Sequence, residues 1–189
     1  VCESAPCLRK GFFAVMFLSN FLSDSGNFHL FPMEKCDVRY AAALESEYFS
    51  FPESEESMLK SLESPTSLNY IAYVGRKRCG YKTSYITPFN EAEILSFAVE
   101  IMYRSRGVGT MLLKSYIKEC MKLGIETVML EVRETNLKAQ HMYEKLGFVH
   151  VGWRKGYYSD PKENAKLYNL ELADVDPKIL EIENPMVTV

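Results

Sequence analysis

The sequence predicts an α/β fold, a mixed central β-sheet with helices on both faces. Three observations carry this. Apolar runs of strand length alternate with segments whose apolar residues recur at helical spacing. Two strand–helix–strand units, one turning at Arg104 and one at Asn136, need crossover connections, which join parallel strands. The helical segments end at residues suited to helix ends, with Asn136 opening one and Gly124 and Gly147 closing two.

The elements follow in order. FHLF (28–31) reads as a strand. Asp37 is placed to cap a helix over 38–49, and a second helix or loop follows at 55–63. LNYIAYVG (68–75) and GYKTSYI (80–86) are strands joined by the basic turn RKRC, a hairpin pattern. EILSFAVE (93–100) is the next strand. A helix then runs over 107–123, with apolar positions 108, 112, 113, 116, 117 and 120 on one face. ETVMLEV (126–132) is a buried strand. Asn136 caps a helix over 137–146, on which Ala139, Met142, Tyr143 and Leu146 share a face. FVHVGW (148–153) and AKLYNLEL (165–172) close the series as strands.

A chain of 189 residues with 47% hydrophobic content fits one domain with a short appendage. The domain is expected over 28–175, with 1–27 an N-terminal extension of uncertain role and 176–189 a C-terminal tail. Residues 9–22 (RKGFFAVMFLSNFL) resemble the apolar core of a secretory leader, yet no small-x-small cleavage pattern follows. The run is also too short to span a bilayer as a helix. The net charge of −3 argues against a nucleic-acid binder driven by overall charge. Five scattered cysteines without CxxC spacing point to reduced thiols and a cytoplasmic compartment, organellar if 1–27 is a leader. The three histidines form no metal-ligand pattern with them, so no metal is expected. No membrane or nucleic-acid partner is expected either.

Residues 104–109 read RSRGVG at the join of a strand and a helix. A helix start leaves backbone N–H groups without helical acceptors, and the helix dipole adds positive potential there, so anions are attracted. Glycines permit close approach, and Arg104 and Arg106 can add charge-assisted contacts. The spacing is neither a Walker P-loop nor a dinucleotide GxGxxG. A glycine-assisted turn with solvated arginines explains the six residues equally well.

The rest of the chain bears on that choice. RxxGxG after an apolar strand, LEVRETNLKAQHMYEKLGF (130–148) and WRKGYYSDPKENAKLYNLEL (153–172), in this order, resemble the GNAT superfamily of N-acetyltransferases. Within it they resemble the branch that acetylates protein N-termini, including the bacterial ribosomal-protein-alanine type. The resemblance spans roughly 28–172 and is strongest from 91 onward. It implies a splayed parallel strand pair and acetyl-CoA as co-substrate. Pantetheine would pair with the backbone of Phe97, Ala98 and Val99. The pyrophosphate would meet Arg104, Ser105, Arg106, Gly107, Val108, Gly109 and Thr110. Asn136 would bond the pantetheine arm, with Ala139 and Tyr143 lining it.

Transfer to an amine needs a proton acceptor, and the leaving thiolate needs a proton. Glu131, a carboxylate within the apolar strand VMLEV, is the candidate base; alternatively it is ion-paired to Arg133 or another basic residue. Glu93 is a second candidate at the cleft edge, since some eukaryotic relatives use a histidine working through water at the base position. Tyr143 is the candidate acid. Tyr157 and Tyr158 match a groove tyrosine pair of the N-terminal branch, with Phe51 facing them, although an extended strand lets only one of two neighbours face the groove. An α-amine titrates near ~7.8 and a lysine near ~10.4, so a modest base suffices for an N-terminus. The expected function is acetyl transfer from acetyl-CoA to the N-terminus of a protein or peptide. The alternatives are a small-molecule amine or lysine acetyltransferase, and a non-catalytic acyl-CoA-binding domain. An auxiliary subunit is left open.

Overall fold

The structure, a computed structural model, describes residues 28–181. The expected extension at 1–27 and the end of the tail lie outside the described residues. The elements are β1 (Phe28–Pro32), α1 (Lys35–Tyr48), α2 (Glu55–Leu62), β2 (Tyr70–Val74), β3 (Lys77–Ile86), β4 (Glu91–Val99), α3 (Val108–Lys122), β5 (Thr127–Arg133), α4 (Leu137–Lys145), β6 (Val149–Ser159) and β7 (Lys162–Glu171). Short 3₁₀ turns cover Ile101–Tyr103, Leu172–Asp174 and Pro177–Leu180. The last of these lies against the domain, because Leu180 is buried in the main core.

The strands form one sheet in the order β1-β2-β3-β4-β5-β7-β6. Every neighbouring pair is antiparallel except β4 and β5, which are parallel. That pairing covers only Glu91–Ile94 against Thr127–Leu130. The cause is local. Thr83 pairs with Ser96 and Ser84 with Ile94, so Leu95 is an extra residue in β4. A bulge of this kind bends the strand and increases its twist, and it turns β4 away from β5 after Ile94. Residues 96–99 stay paired with β3 on one edge and part from β5 on the other.

Helices cover both faces. On one face Val38, Ala41 and Leu44 of α1 pack on Ile71, Tyr73, Tyr81 and Ala98. On the other, Leu113, Ile117 and Cys120 of α3 pack on Ala92, Ile94, Val128, Leu130 and Val132. Burying a Leu or Ile side chain there contributes about 1.5–3 kcal/mol each. The 3.6-residue spacing of the apolar positions is therefore what docks α3 on the sheet.

The helix ends are set by the residues expected, with one exception. Gly124 (φ 73°) and Gly147 (φ 93°) take the left-handed conformation that closes α3 and α4. Asn136 caps α4, its Oδ1 accepting from Ala139 N at 3.2 Å. Asp37 is not the N-cap of α1 but the third helical residue, in its capping box. Glu34 takes the N-cap position, and Asp37 lies inside the first turn. Its carboxylate is fully buried and accepts from Glu34 N (3.0 Å), Tyr73 Oη (3.0 Å) and Arg78 Nε (2.9 Å). Those donors compensate its burial and tie α1 to the sheet.

Candidate active site

The turn after β4 contains Ser105 (φ 59°) and Gly107 (φ 81°), both left-handed, and Gly107 is the N-cap of α3. No side chain among the described residues caps this helix. Its first intrahelical bond runs from Met111 N to Gly107 O at 2.9 Å, which leaves the amides of Val108, Gly109 and Thr110 as orphan donors. A Cβ built on Gly107 would meet nothing within 4 Å. Gly109 is different: a Cβ there would stand 3.4 Å from Met142 Sδ and 3.6 Å from the Phe97 ring. It lets α3 pack closely on α4 and β4. The Val108 side chain is buried in the core.

Arg104 is turned from this turn toward the fold. Its Nε donates to Val99 O at 2.7 Å, and its guanidinium lies 4.0 Å from the Tyr48 ring centroid. Arg106 and Ser105 are exposed at the loop. The parted edge of β4 at Phe97, Ala98 and Val99 leads directly to these amides. On the far side of the cleft stand Asn136, Ala139 and Tyr143 at the start and inner face of α4. An extended thioester arm with a pyrophosphate fits this arrangement, in which a strand edge parted from β5, its Val99 carbonyl held by Arg104, ends at an uncapped helix N-terminus.

Tyr143 is buried, its ring 5.7 Å from Phe148 and 6.2 Å from Tyr168 between centroids. Burial, and then the neighbouring Tyr158, push its phenol above the ordinary tyrosine range, so the hydroxyl keeps its proton at neutral pH. A neutral, positioned phenol is suited to donating a proton.

Glu131 faces the α1 side of the sheet. Its Oε1 is 2.9 Å from Arg154 Nη1 on β6. Of the ion-pairing alternatives, Arg154 is the partner and Arg133 is not. Arg133 is held by Glu163 Oε2 (3.3 Å), Ser50 Oγ (3.0 Å) and Asp160 O (3.0 Å). Ser50 also bonds Asp160 O, so Arg133 ties the loop after α1 to the β6–β7 turn. Phe51, next in that loop, is exposed. Glu93 is engaged by Tyr85, whose Oη donates to Oε2 at 2.6 Å. On β5 it lies opposite Met129, two residues before Glu131 on the same face.

Both Tyr157 and Tyr158 meet this cluster, against the expectation for an extended strand. Arg154 pairs with Ala165 and Tyr158 with Glu163, so Lys155, Gly156 and Tyr157 together oppose Asn164. Gly156 (φ 60°) makes the turn, and its N–H donates to Asn164 Oδ1 at 2.9 Å. The wide bulge cancels the alternation of the strand. Tyr157 lies beside Glu131, where burial and then that carboxylate raise its phenol, and under the Arg154 guanidinium at 5.0 Å, while Tyr158 lies under Arg133 at 4.1 Å. Burial first and then Glu131 push the Tyr158 phenol up to about 12. Arg154 and Ser50 were not singled out from the sequence, and Arg133 was named only as an ion-pair partner of Glu131. The signal for Arg154 was a basic pair directly before Gly156-Tyr157-Tyr158.

A splayed parallel pair, a glycine turn onto a bare helix start, and a carboxylate and phenol on either side define a GNAT-type acetyltransferase. The chain belongs to this family, since the model of the Acetyltransferase (GNAT) family matches residues 38–148. It is an N-acetyltransferase of that family, whose members use acetyl-CoA as co-substrate. It is 30% identical over 143 residues to the [ribosomal protein bS18]-alanine N-acetyltransferase of Escherichia coli K12, covering 75% of this chain and 95% of that one. The enzyme of the same name from Haemophilus influenzae is 32% identical over 136 residues, covering 70% and 91%. The crystal structure of the Escherichia coli ribosomal-protein-S18-alanine N-acetyltransferase superimposes with a TM-score of 0.70 at 29% identity, covering 77% and 94%.

Proposed function

We propose that this enzyme acetylates the N-terminal α-amine of a protein, of the ribosomal-protein type named for its relatives. The observation that carries the reading is the double presentation of Tyr157 and Tyr158 to Glu131 by the β6 bulge. With the Ser50–Phe51 loop opposite, they bound a groove on the α1 face, suited to an extended chain entering amine first. Backbone groups of such a chain can pair with the tyrosine hydroxyls, whereas a lysine side chain entering as a bare arm would leave them unpaired.

Acetyl-CoA, when bound, supplies the activated thioester. The β4 edge at Phe97, Ala98 and Val99 would pair with its arm, together with Asn136, Ala139 and Tyr143. The amides from Ser105 to Thr110, with Arg106, would hold its phosphates. Glu131 accepts the proton of the incoming ammonium at a carboxylate oxygen, and Glu93 is the alternative acceptor. Tyr143 Oη holds the proton for the departing thiolate. Cys36, Cys79 and Cys120 are free thiols, as suits a cytoplasmic enzyme.

A peptide library with free N-termini, incubated with acetyl-CoA and read by mass spectrometry, tests this. Acetyl groups are expected on α-amines with a preference at the first two positions. Turnover of spermidine with none on peptides would turn the reading to a small-molecule acceptor.

A further inference from the structure

The oxygen of Glu131 that should receive the substrate's proton is already met by a cation. Arg154 Nη1 stands 2.9 Å from Oε1, and the guanidinium rests over the Tyr157 ring. We infer that Arg154 holds the place the acceptor's ammonium takes, and that the incoming amine displaces it, making Arg154 a positioning residue that gates Glu131. The inference rests on the reading of Glu131 as the base.

The pair is lopsided. The Glu131 side chain is 15% exposed and that of Arg154 is 55% exposed. The carboxylate is fixed in the sheet, while the guanidinium can return to water at little cost. A buried carboxylate left without a cation is costly, so Glu131 needs a partner before substrate arrives. Arg133, two residues on and on the same face, cannot replace Arg154, because Glu163, Ser50 and the Asp160 carbonyl hold it. The other groups around the pair are Tyr157 and Tyr158 from β6, Glu163 from β7, and Glu93 with its donor Tyr85 from β4 and β3. Among the described residues, the groups around Glu131 include no second cation free to pair with it.

The consequence is a sequence of contacts. With Arg154 in place, Oε1 of Glu131 is occupied by a guanidinium N–H. A free α-ammonium offers the same charge and N–H donors. Once it takes the arginine's place, the proton to be removed and the base are in direct contact. A blocked N-terminus carries no charge and cannot make the exchange.

The test combines kinetics and NMR on the full chain. In Arg154→Met the KM for peptide should fall about two- to fivefold, the ratio corresponding to an exposed ion pair. Arg154→Lys, which keeps a cation on a stem of similar length, should restore the wild-type KM. In arginine-labelled protein with coenzyme A, a free-amine peptide should move the Arg154 side-chain signal, and its N-acetylated twin should not. An Arg154 signal left unmoved by the free-amine peptide, or a KM that rises as kcat falls, would overturn the gate. Full kcat/KM in Glu131→Gln would instead remove the base reading beneath it. If the acceptor proves to be another amine, the same two measurements with that amine decide the gate.

Discussion

Arg154 on β6 and Glu131 on β5 face each other across β7, 2.9 Å apart, although neither strand is the other's neighbour. The long arginine reaches over the intervening strand, where Leu167 pairs with Glu131 and Ala165 with Arg154. Because Arg154 is more than half exposed, the pair itself contributes only about 0–1 kcal/mol to stability. Its value to the protein is therefore in the chemistry of Glu131.

Glu131→Gln keeps the shape and removes the base. kcat/KM is expected to fall about 10²- to 10⁴-fold, the range for positioned proton transfer. The loss should shrink as pH rises toward and above the α-amine's own range near ~7.8, where the acceptor deprotonates without help. Steady-state kinetics across pH check both points.

Tyr143→Phe retains the ring contacts with Phe148 and Tyr168. Melting temperature and acetyl-CoA affinity should survive, while kcat falls on the order of 10- to 10³-fold. Full activity would mean that the thiolate takes its proton elsewhere.

Gly107→Val tests the phosphate turn. The position is open in space but left-handed at φ 81°, so the penalty is conformational. A left-handed β-branched residue costs about 1–2 kcal/mol, and relaxing the strain would re-aim the amides of α3. Calorimetry should show weaker acetyl-CoA binding, and thermal unfolding a lower Tm.

Lys82 gives a pH prediction away from the site. It is fully buried between Tyr116, whose ring lies 3.2 Å from Nζ, and the acceptors Leu68 O and Ser84 Oγ. Burial pushes its ammonium well below the ordinary lysine range. The unfolded chain then binds one more proton than the folded chain between the depressed value and about 10.4, so this group makes stability rise with pH across that window. Lys82→Met should flatten the rise and stabilise the protein at neutral pH. Denaturant unfolding from pH 7 to 10 in both forms measures it.

Much of the fold was legible because its signals are local. Asn136, Gly124 and Gly147 mark helix ends by their own backbone and side-chain chemistry, and the α3 stripe by spacing. Asp37 was misread as the N-cap because a carboxylate near a helix start usually takes that place. Here three donors, two of them distant in sequence, hold it inside the first turn. The β6 bulge was the larger miss. Gly156 in the sequence permits a bulge, but only pairing with β7 makes one, and without it Tyr157 and Tyr158 cannot share a groove. Arg154 and Arg133 have the same character in sequence. Which of them reaches Glu131 is fixed by Glu163, Ser50 and Asp160, all remote along the chain. The chain's side of the cofactor cleft was read through the family likeness, and the Leu95 bulge that opens it carries no local mark.

The most direct test uses two peptides of one sequence, each with a single lysine, one with a free N-terminus and the other N-terminally blocked. Each is incubated with enzyme and acetyl-CoA, and the modified amine is located by mass spectrometry. Acetylation at the α-amine of the first, with the second nearly untouched, is the expected result. Comparable rates at the lysine of the blocked peptide would contradict an N-terminal acceptor.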